Sequence, residues 1–350
     1  MKLDELLHQT SEWLRGTGPN SNIIISSRVR LARNLNKLPF SHWAAKKQQE
    51  DTLKLIEPVM LSLNYFKDGI YLLMNKLNSI DRQFLLERHL VSREHIVQTD
   101  VKAVCIDKNE IISVMVNEED HMRSQVIQSG FNLRSAWDVI NNLDKEMERR
   151  LNFAFSVDWG YLTACPTNTG TGMRASVMLH LPSLVMTKQI NRVLQAIAKL
   201  GLTARGLFGE GTEASGNFFQ ISNSVTMGRS EESILDSIER IIRQIIDYEQ
   251  NARAALLKQN RAGIEDQIWR GFGILKSAHI ISSKETIELL SIVRLGVDLE
   301  IIKEIDRQTV NQLFILTQPA HLQKLEGKIL TQQERDVTRA RLIREKLTGK

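Results

Sequence analysis

The sequence predicts an α+β protein that ends in an all-helical domain, and three observations predict it. Two β-branched runs, residues 101–106 and 111–116, are separated by Asp107-Lys108-Asn109-Glu110, the pattern of an antiparallel hairpin. Stretches of strand and helix character mix from about residue 23 to about residue 255. Beyond about residue 260 the strand signals stop, while Ser282-x-x-Glu285 and Thr331-x-x-Glu334 have the capping-box form that starts helices.

Taken in order, residues 1–20 read as a short leader helix broken by the turn cluster Gly16-Thr17-Gly18-Pro19. Ile23-Ile24-Ile25 opens a strand, and the later hairpin runs directly into the acidic tetrad Asn117-Glu118-Glu119-Asp120. From Ser183, an expected N-cap after Pro182, Ile190, Val193, Leu194 and Ile197 keep helical spacing up to Gly201. Residues 218–222 read as a strand. Ser230 then caps a long helix whose apolar stripe includes Ile234, Ile238, Ile241, Ile242 and Ile245. No internal repeat is present, so the chain divides most simply into an α+β catalytic domain, 1–255, and a helical domain, 256–350.

Composition narrows the class. With 42% hydrophobic and 25% charged residues the chain reads as an ordinary globular protein, and neither a secretory leader nor an apolar run of spanning length occurs. Two cysteines, Cys105 and Cys165, are too few for a disulfide framework or a zinc site, and a reducing cytoplasm is expected. The net charge of +5 decides nothing by itself. Without a basic stripe or aromatic interleaving, direct nucleic-acid binding is not expected.

The arginines are more informative, because several stand on or near turns beside small residues. They occur in Ser26-Ser27-Arg28-Val29-Arg30-Leu31-Ala32-Arg33, at Arg123, in Thr169-Gly170-Thr171-Gly172-Met173-Arg174, and in Arg205-Gly206-Leu207-Phe208-Gly209-Glu210-Gly211. A guanidinium is a planar fork of five donors that stays charged, so several converging suit a polyphosphate. Arg28 and Arg30, two apart on a strand, point to one face. The glycines would let backbone N–H groups approach the same oxygens. No P-loop and no Ser/Thr/Tyr kinase signature occurs, and Gly170-Thr171-Gly172-Met173-Arg174-Ala175 lacks the acidic residue that a dinucleotide site needs about 20 positions on. Glu118, Glu119 and Asp120 end a strand, and Glu210 and Glu213 lie in a glycine-rich loop. A guanidinium acceptor, with a pKa above about 12, needs carboxylates to orient it and take its proton.

The stretches SSRVRLARN, NEEDHMR, CPTNTGTGMRAS and RGLFGEGTEASGNFFQISN resemble the phosphagen (guanidino) kinases, in that family's order, over about residues 22–250. The resemblance implies an antiparallel sheet flanked by helices and a reaction on ATP and Mg²⁺. It implies that Arg28, Arg30, Arg123, Arg174 and Arg205 hold the phosphates and that His89 contacts the nucleotide. The flanking residues Ser26, Ser27, Val29, Ala175, Ser176, Val177, Met178, Gly206, Leu207, Phe208, Gly209 and Glu210 would line the same site. Glu119 and Glu210 correspond to the carboxylates that grip the guanidinium. Cys165 matches the family's reactive cysteine, or is simply a small residue packed beside Pro166. No side chain is assigned as a metal ligand.

Two departures set the chain apart. Members acting on free metabolites carry an N-terminal helical domain that closes over the substrate, whereas here the arginine motif begins at Arg28, so the pocket is expected to be open to an arginine displayed on a protein. At the other end stands Arg335-Asp336-Val337-Thr338-Arg339-Ala340. That layout resembles the family's bacterial branch, whose members phosphorylate arginine side chains of proteins. It implies that this motif forms an allosteric phosphoarginine pocket, with Arg335 and Arg339 facing one anion near a helix start. It also implies a homodimer, an activator protein, a transcriptional repressor and a Clp-type unfoldase as partners in stress response, and no membrane. Two other readings stay open: a kinase of free arginine, and a catalytically silent phosphoarginine-binding adaptor.

Overall fold

The computed structural model describes residues 2–206 and 215–348. In chain order the elements are β1 (Ile24–Arg33), α1 (Lys46–Ser62), β2 (Ile70–Leu73), α2 (Ser79–Glu87), β3 (Ala103–Ile106), β4 (Ile112–Val116) and β5 (Met122–Ser129). There follow α3 (Leu133–Glu148), β6 (Phe155–Ser156), β7 (Gly160–Tyr161), β8 (Met173–His180), α4 (Pro182–Met186), α5 (Ile190–Lys199), β9 (Leu202–Arg205) and β10 (Phe218–Asn223). The remainder is helical: α6 (Glu231–Ser277), α7 (Ser283–Asp298), α8 (Arg307–Leu316), α9 (Pro319–Glu326) and α10 (Gln332–Thr348).

Eight strands form one antiparallel sheet in the order β2-β3-β4-β5-β1-β8-β10-β9, so β1 lies in its middle, between β5 and β8. Alternation along β1 sends Val29 and Leu31 to one face. There they join Val126, Ala175, Val177 and Ile221 in a core closed by Ala136 and Ile140 of α3 and Ile238 and Ile242 of α6. The other face takes the polar residues of the same strands. A second core, built on Ile268, Leu290, Val293, Phe314 and Ile343, belongs to the helical region but also buries Trp13, Met178 and Phe218. The two regions thus share apolar surface.

A buried polar network reinforces the seam. Arg294 of α7 donates to Asn311 Oδ1 (3.0 Å), to the Ser21 carbonyl (2.7 Å) and to His180 Nδ1 (2.8 Å). Because a guanidinium can only donate, His180 carries its proton on Nε2 and gives it to Ser291 Oγ, 2.8 Å away. The Asn217 amide donates to the same oxygen at 2.8 Å. Burial, and then the Arg294 charge, hold His180 neutral by pushing its pKa well below the usual range.

Three of the expected caps are present: Ser230 Oγ accepts from Ser233 N, Ser282 Oγ from Glu285 N, and Thr331 and Glu334 bond reciprocally, whereas Ser183 lies inside α4 and caps nothing, Leu181 preceding the helix. Three further expectations need correction. Residues 1–20 make two 3₁₀ turns, Leu3–His8 and Glu12–Leu14, rather than one leader helix. So short a segment cannot nucleate a helix against competing partners. Leu6 joins a cluster with Phe84 and Leu90, while Trp13 and Leu14 join the helical core. The helix expected after Ser183 is two helices, broken where Lys188 takes a left-handed φ of 59°. The N-terminus of α4 is satisfied by Glu249, whose carboxylate accepts from Ser183 N (3.1 Å) and Leu184 N (3.0 Å). The long helix α6 also breaks, at Asn260 (φ −152°, ψ 59°), whose Oδ1 accepts from Gly263 N and so caps the second half.

Candidate active site

The register of β1 assembles the cations. Arg30 stands opposite Arg174 on β8 and Gln125 on β5; Arg28 stands opposite Ser176; Arg123 stands opposite Ala32, one step along. On the far edge Arg205 of β9 pairs in register with Gln220 of β10. Side chains directly opposite one another share a face, so Arg28, Arg30, Arg123 and Arg174 gather on the face that α3 and α6 leave uncovered. Arg205 lies further across it.

The electrostatics mark this as a place prepared for negative charge. Burial, and then the neighbouring Arg123 and Arg174, lower the Arg28 guanidinium to about 9. Burial followed by Arg28, Arg123 and Arg174 takes Arg30 well below its ordinary value. Arg28 Nη2 donates to Gln125 Oε1, but the Nε atoms of Arg28 and Arg30 are buried without a partner. Unspent donors in a crowd of like charges are the condition that a polyphosphate relieves. Arg174 leans on Ser222 Oγ and Thr203 Oγ1, both at 3.4 Å. Arg123 is the compensated member, held by Glu118 at 2.6 and 2.8 Å.

His89 follows α2 in a left-handed conformation (φ 60°), with its ring edge-on to Trp13 at 5.1 Å. Its carbonyl accepts from Gln125 Nε2 (2.7 Å), so Gln125 ties His89 to Arg28. Burial and then the Arg28 charge lower the imidazole to about 3, leaving it neutral. Sequence reading missed both Gln125 and Trp13. Gln125 was open to discovery, since it follows Arg123 by two on a strand and must share its face. No local signal marks Trp13.

The three acids of the 118–120 turn are sorted by burial. Glu118 is buried on Arg123 and Ser92; burial raises it, but those two partners outweigh burial and hold it at about 2. Asp120 is buried too, accepting from Asn34 Nδ2 (2.6 Å) and Ala164 N (2.7 Å). Glu119 alone of the three is exposed, and partial desolvation with the charges of Asp120 and Glu118 raises its pKa. It is the acid that an incoming group can reach. Cys165, next to Ala164, is partly exposed, with Sγ 3.0 Å from Thr167 Oγ1.

Other expected residues fall elsewhere. The side chains of Val29, Ala175 and Val177 enter the helix-covered core, leaving only their backbones for a ligand. Ser27 Oγ donates to Gly130 O (2.9 Å) and accepts from Asn132 N (3.0 Å), which makes it a brace for the start of α3. Ser26 is buried, and Met178, on the open face, is covered by the helical core. Gly172 (φ 64°) serves chain geometry: a Cβ there would lie 2.7 Å from Ala32 O. Gly206 is buried at the end of β9, and Leu207, Phe208, Gly209, Glu210 and Glu213 lie outside the described residues.

In the C-terminal motif the expected pairing of two arginines on one anion is not what the geometry presents. Arg339 is buried, its Nε on Thr317 O (2.9 Å) and its Nη1 on Ile281 O (2.9 Å) and Asp336. Arg335 turns back to Leu330 O (2.7 Å). Ala340 is buried, Val337 is exposed, and Thr338 and Val337 border an open groove with Leu330 and Glu334. A helical position fixes which side a residue faces only after its neighbours are known.

Comparison with known proteins agrees with this architecture. Residues 52–252 match the family described as ATP:guanido phosphotransferase, C-terminal catalytic domain, and residues 261–350 match the Protein-arginine kinase McsB C-terminal domain. The chain is 46% identical over 353 residues to a protein-arginine kinase of Halothermothrix orenii, covering 99% of each chain. It is 48% identical over 342 residues to one from Desulforamulus reducens, covering 97% of this chain and 96% of that one. Among solved structures it resembles a duplicated taurocyamine kinase from Schistosoma mansoni, with a TM-score of 0.61 and 28% identity over 67% of this chain and 34% of that one. A lombricine kinase shares the fold at a TM-score of 0.60 and 22% identity, over 71% of this chain and 73% of the other.

Proposed function

The chain belongs to the protein-arginine kinases of the ATP:guanido phosphotransferase family, transferring the γ-phosphoryl of ATP to arginine side chains of proteins, and we propose that the open face of its sheet is where it does so. The observation that carries the proposal is the convergence of Arg28, Arg30, Arg123 and Arg174 on that face, where the Nε donors of Arg28 and Arg30 are buried without a partner. In this reading those arginines and Arg205 bind the ATP phosphates, and neutral His89 packs against the nucleotide. Glu119 and Glu210 align the acceptor guanidinium. Its nitrogen attacks the γ-phosphorus, the N–P bond forms as the bond to the β-phosphate oxygen breaks, and the displaced proton passes to a carboxylate. Catalysis is then mainly positioning and charge neutralisation.

Mg²⁺, which family membership implies, is assigned to the ATP phosphates by that same analogy. The division into 1–255 and 256–350 is kept as a proposal, with the Asn260 break as its junction. By the same family reasoning we assign the 335–340 motif to phosphoarginine-dependent activation, and a homodimer, an activator, a transcriptional repressor and a Clp-type unfoldase as partners. A cytoplasmic location belongs with these; among the described residues no helix is long and apolar enough to cross a membrane.

The test is incubation with Mg-ATP and either a folded arginine-bearing protein or free L-arginine, with acid-labile phosphate located by mass spectrometry. Phosphoarginine on the protein alone supports the reading; phosphate on the free amino acid would redirect it to a metabolite kinase. Glu119→Gln is expected to keep fold and ATP binding while turnover falls by roughly 10²-fold or more. Undiminished turnover would remove Glu119 from its role.

A further inference from the structure

We propose that the short ribbon β6–β7, with the neighbouring segment that leads on to Trp43, is the surface on which the polypeptide around the acceptor arginine docks. The proposal rests on the reading of Glu119 as an acceptor carboxylate.

Phe155 and Trp159 are 58% and 56% exposed, Val157 is 95% exposed, and Trp43 is 76% exposed. Single exposed apolar residues are ordinary, but four large ones concentrated on two segments that are hydrogen-bonded to each other ask for an occupant. The segments are joined by hydrogen bonds: Ala154 N–H donates to Asn34 O (2.7 Å), Asn36 N–H donates to Asn152 O (2.8 Å), and Leu35 bridges Phe153. Trp43 itself meets His42 and Phe40 in tilted ring contacts at centroid distances of 4.7 and 6.2 Å.

Both segments grip the acidic turn. Asp120 accepts from Ala164 N on the ribbon's side and from Asn34 on the other. His121 Nδ1 accepts from Leu35 N (3.0 Å), so its proton is on Nε2 and goes to Pro39 O (2.9 Å). Glu119, one residue before Asp120, is therefore held within a few residues of both aromatic arms.

The rim's chemistry favours polypeptide. Asp158 at the ribbon tip, Glu94 and Glu119 are exposed acids, suited to a segment that carries arginine. Residues 152–154 pair with 34–36, but beyond Ala154 the two residues of β6 pair only with β7 among the described residues, which leaves a short edge for an extended chain. Phe155 is seated against Tyr161 (5.3 Å), whose ring lies on Arg33 at 3.5 Å, so the ribbon rests on a buried cation held by Asp144. A rigid aromatic on a fixed base is what makes an interface residue count.

The experiment compares wild type with Trp159→Ala, Phe155→Ala and Trp43→Ala in full-length enzyme, on a folded arginine-bearing protein. For at least Trp159→Ala, KM for the protein is expected to rise by roughly tenfold or more, with kcat and ATP affinity unchanged and with recovery in Trp159→Phe. If KM stays at the wild-type value in all three, the proposal fails. It also fails if kcat falls while sedimentation shows a dimer lost, because the patch would then join two copies of this chain. A wild-type enzyme that forms no phosphoarginine at all would instead overturn the kinase reading.

Discussion

Arg30 in the sheet and Arg294 in the helical region are both withdrawn from solvent, yet their donors are used in opposite ways. Arg294 is wholly buried, giving its hydrogens to Asn311, His180 and the Ser21 carbonyl, with Asp298 3.1 Å away. Arg30 shares its face with Arg28 and Arg174, and its buried Nε has no partner. The first arginine is a structural crosslink; the second keeps a donor in reserve, which on the function proposed above a phosphate would take. Arg339, set on two carbonyls and Asp336, belongs with Arg294 by this measure. An arginine kept for a ligand and one used as a crosslink are thus separated by counting donors already in use, whether or not a motif contains them.

Three substitutions would sharpen or break this contrast. The largest expected effect is on stability: Arg294→Met leaves His180 Nδ1, Asn311 Oδ1 and the Ser21 carbonyl buried without their donor, with Asp298 held by Arg307 alone (2.7 Å), and should cost about 3–5 kcal/mol, read from the denaturant midpoint. A midpoint equal to wild type would place Arg294 among the unspent cations. Next, Arg30→Met should weaken ATP binding by roughly tenfold to a hundredfold through loss of charge-assisted bonds, while thermal stability holds or rises as like-charge repulsion is relieved. A fall in stability matching that of Arg294→Met would erase the distinction.

The third effect lies at the seam between the regions, where Glu87 of α2 accepts from Ala320 N (2.9 Å), His321 N (3.0 Å) and His321 Nδ1 (2.9 Å) at the start of α9. Burial raises this carboxyl from 4.5 to about 7, against the pull of those amides and of Arg339. A folded-state pKa above the unfolded one means that the native chain holds the proton more tightly. This group's contribution to stability is therefore fully present below about pH 4.5 and is lost as pH rises through about 7, on the order of 3 kcal/mol in all. Denaturant midpoints between pH 5 and 8 should lose that slope in Glu87→Gln; an unchanged slope would assign it to other groups.

Much of this was readable before the fold was known. The hairpin around residues 107–110, the caps at Ser230, Ser282 and Thr331, and the shared face of Arg28 and Arg30 all follow from periodicity and bonds between residues a few positions apart. The 118–120 turn was recognised as acidic, but not which acid looks outward. That depends on Asn34, Ser92, Arg123 and Ala164, which lie up to 86 positions away. Arg339 looked like a ligand partner of Arg335 because i, i+4 spacing allows it, and Thr317 and Ile281 took its donors instead. The N-terminal strap looked like a helix because its apolar spacing allows that too, until two separate cores claimed Leu6 and Trp13.

What the sequence determined by itself was the order of elements, the chemical class of the site and the residues able to serve it, since these rest on short-range geometry and on side-chain type. Which arginines and carboxylates remain available for chemistry was decided only by tertiary structure. A donor or acceptor is free or spent according to partners brought from distant parts of the chain, and burial then sets the cost of leaving it unpaired.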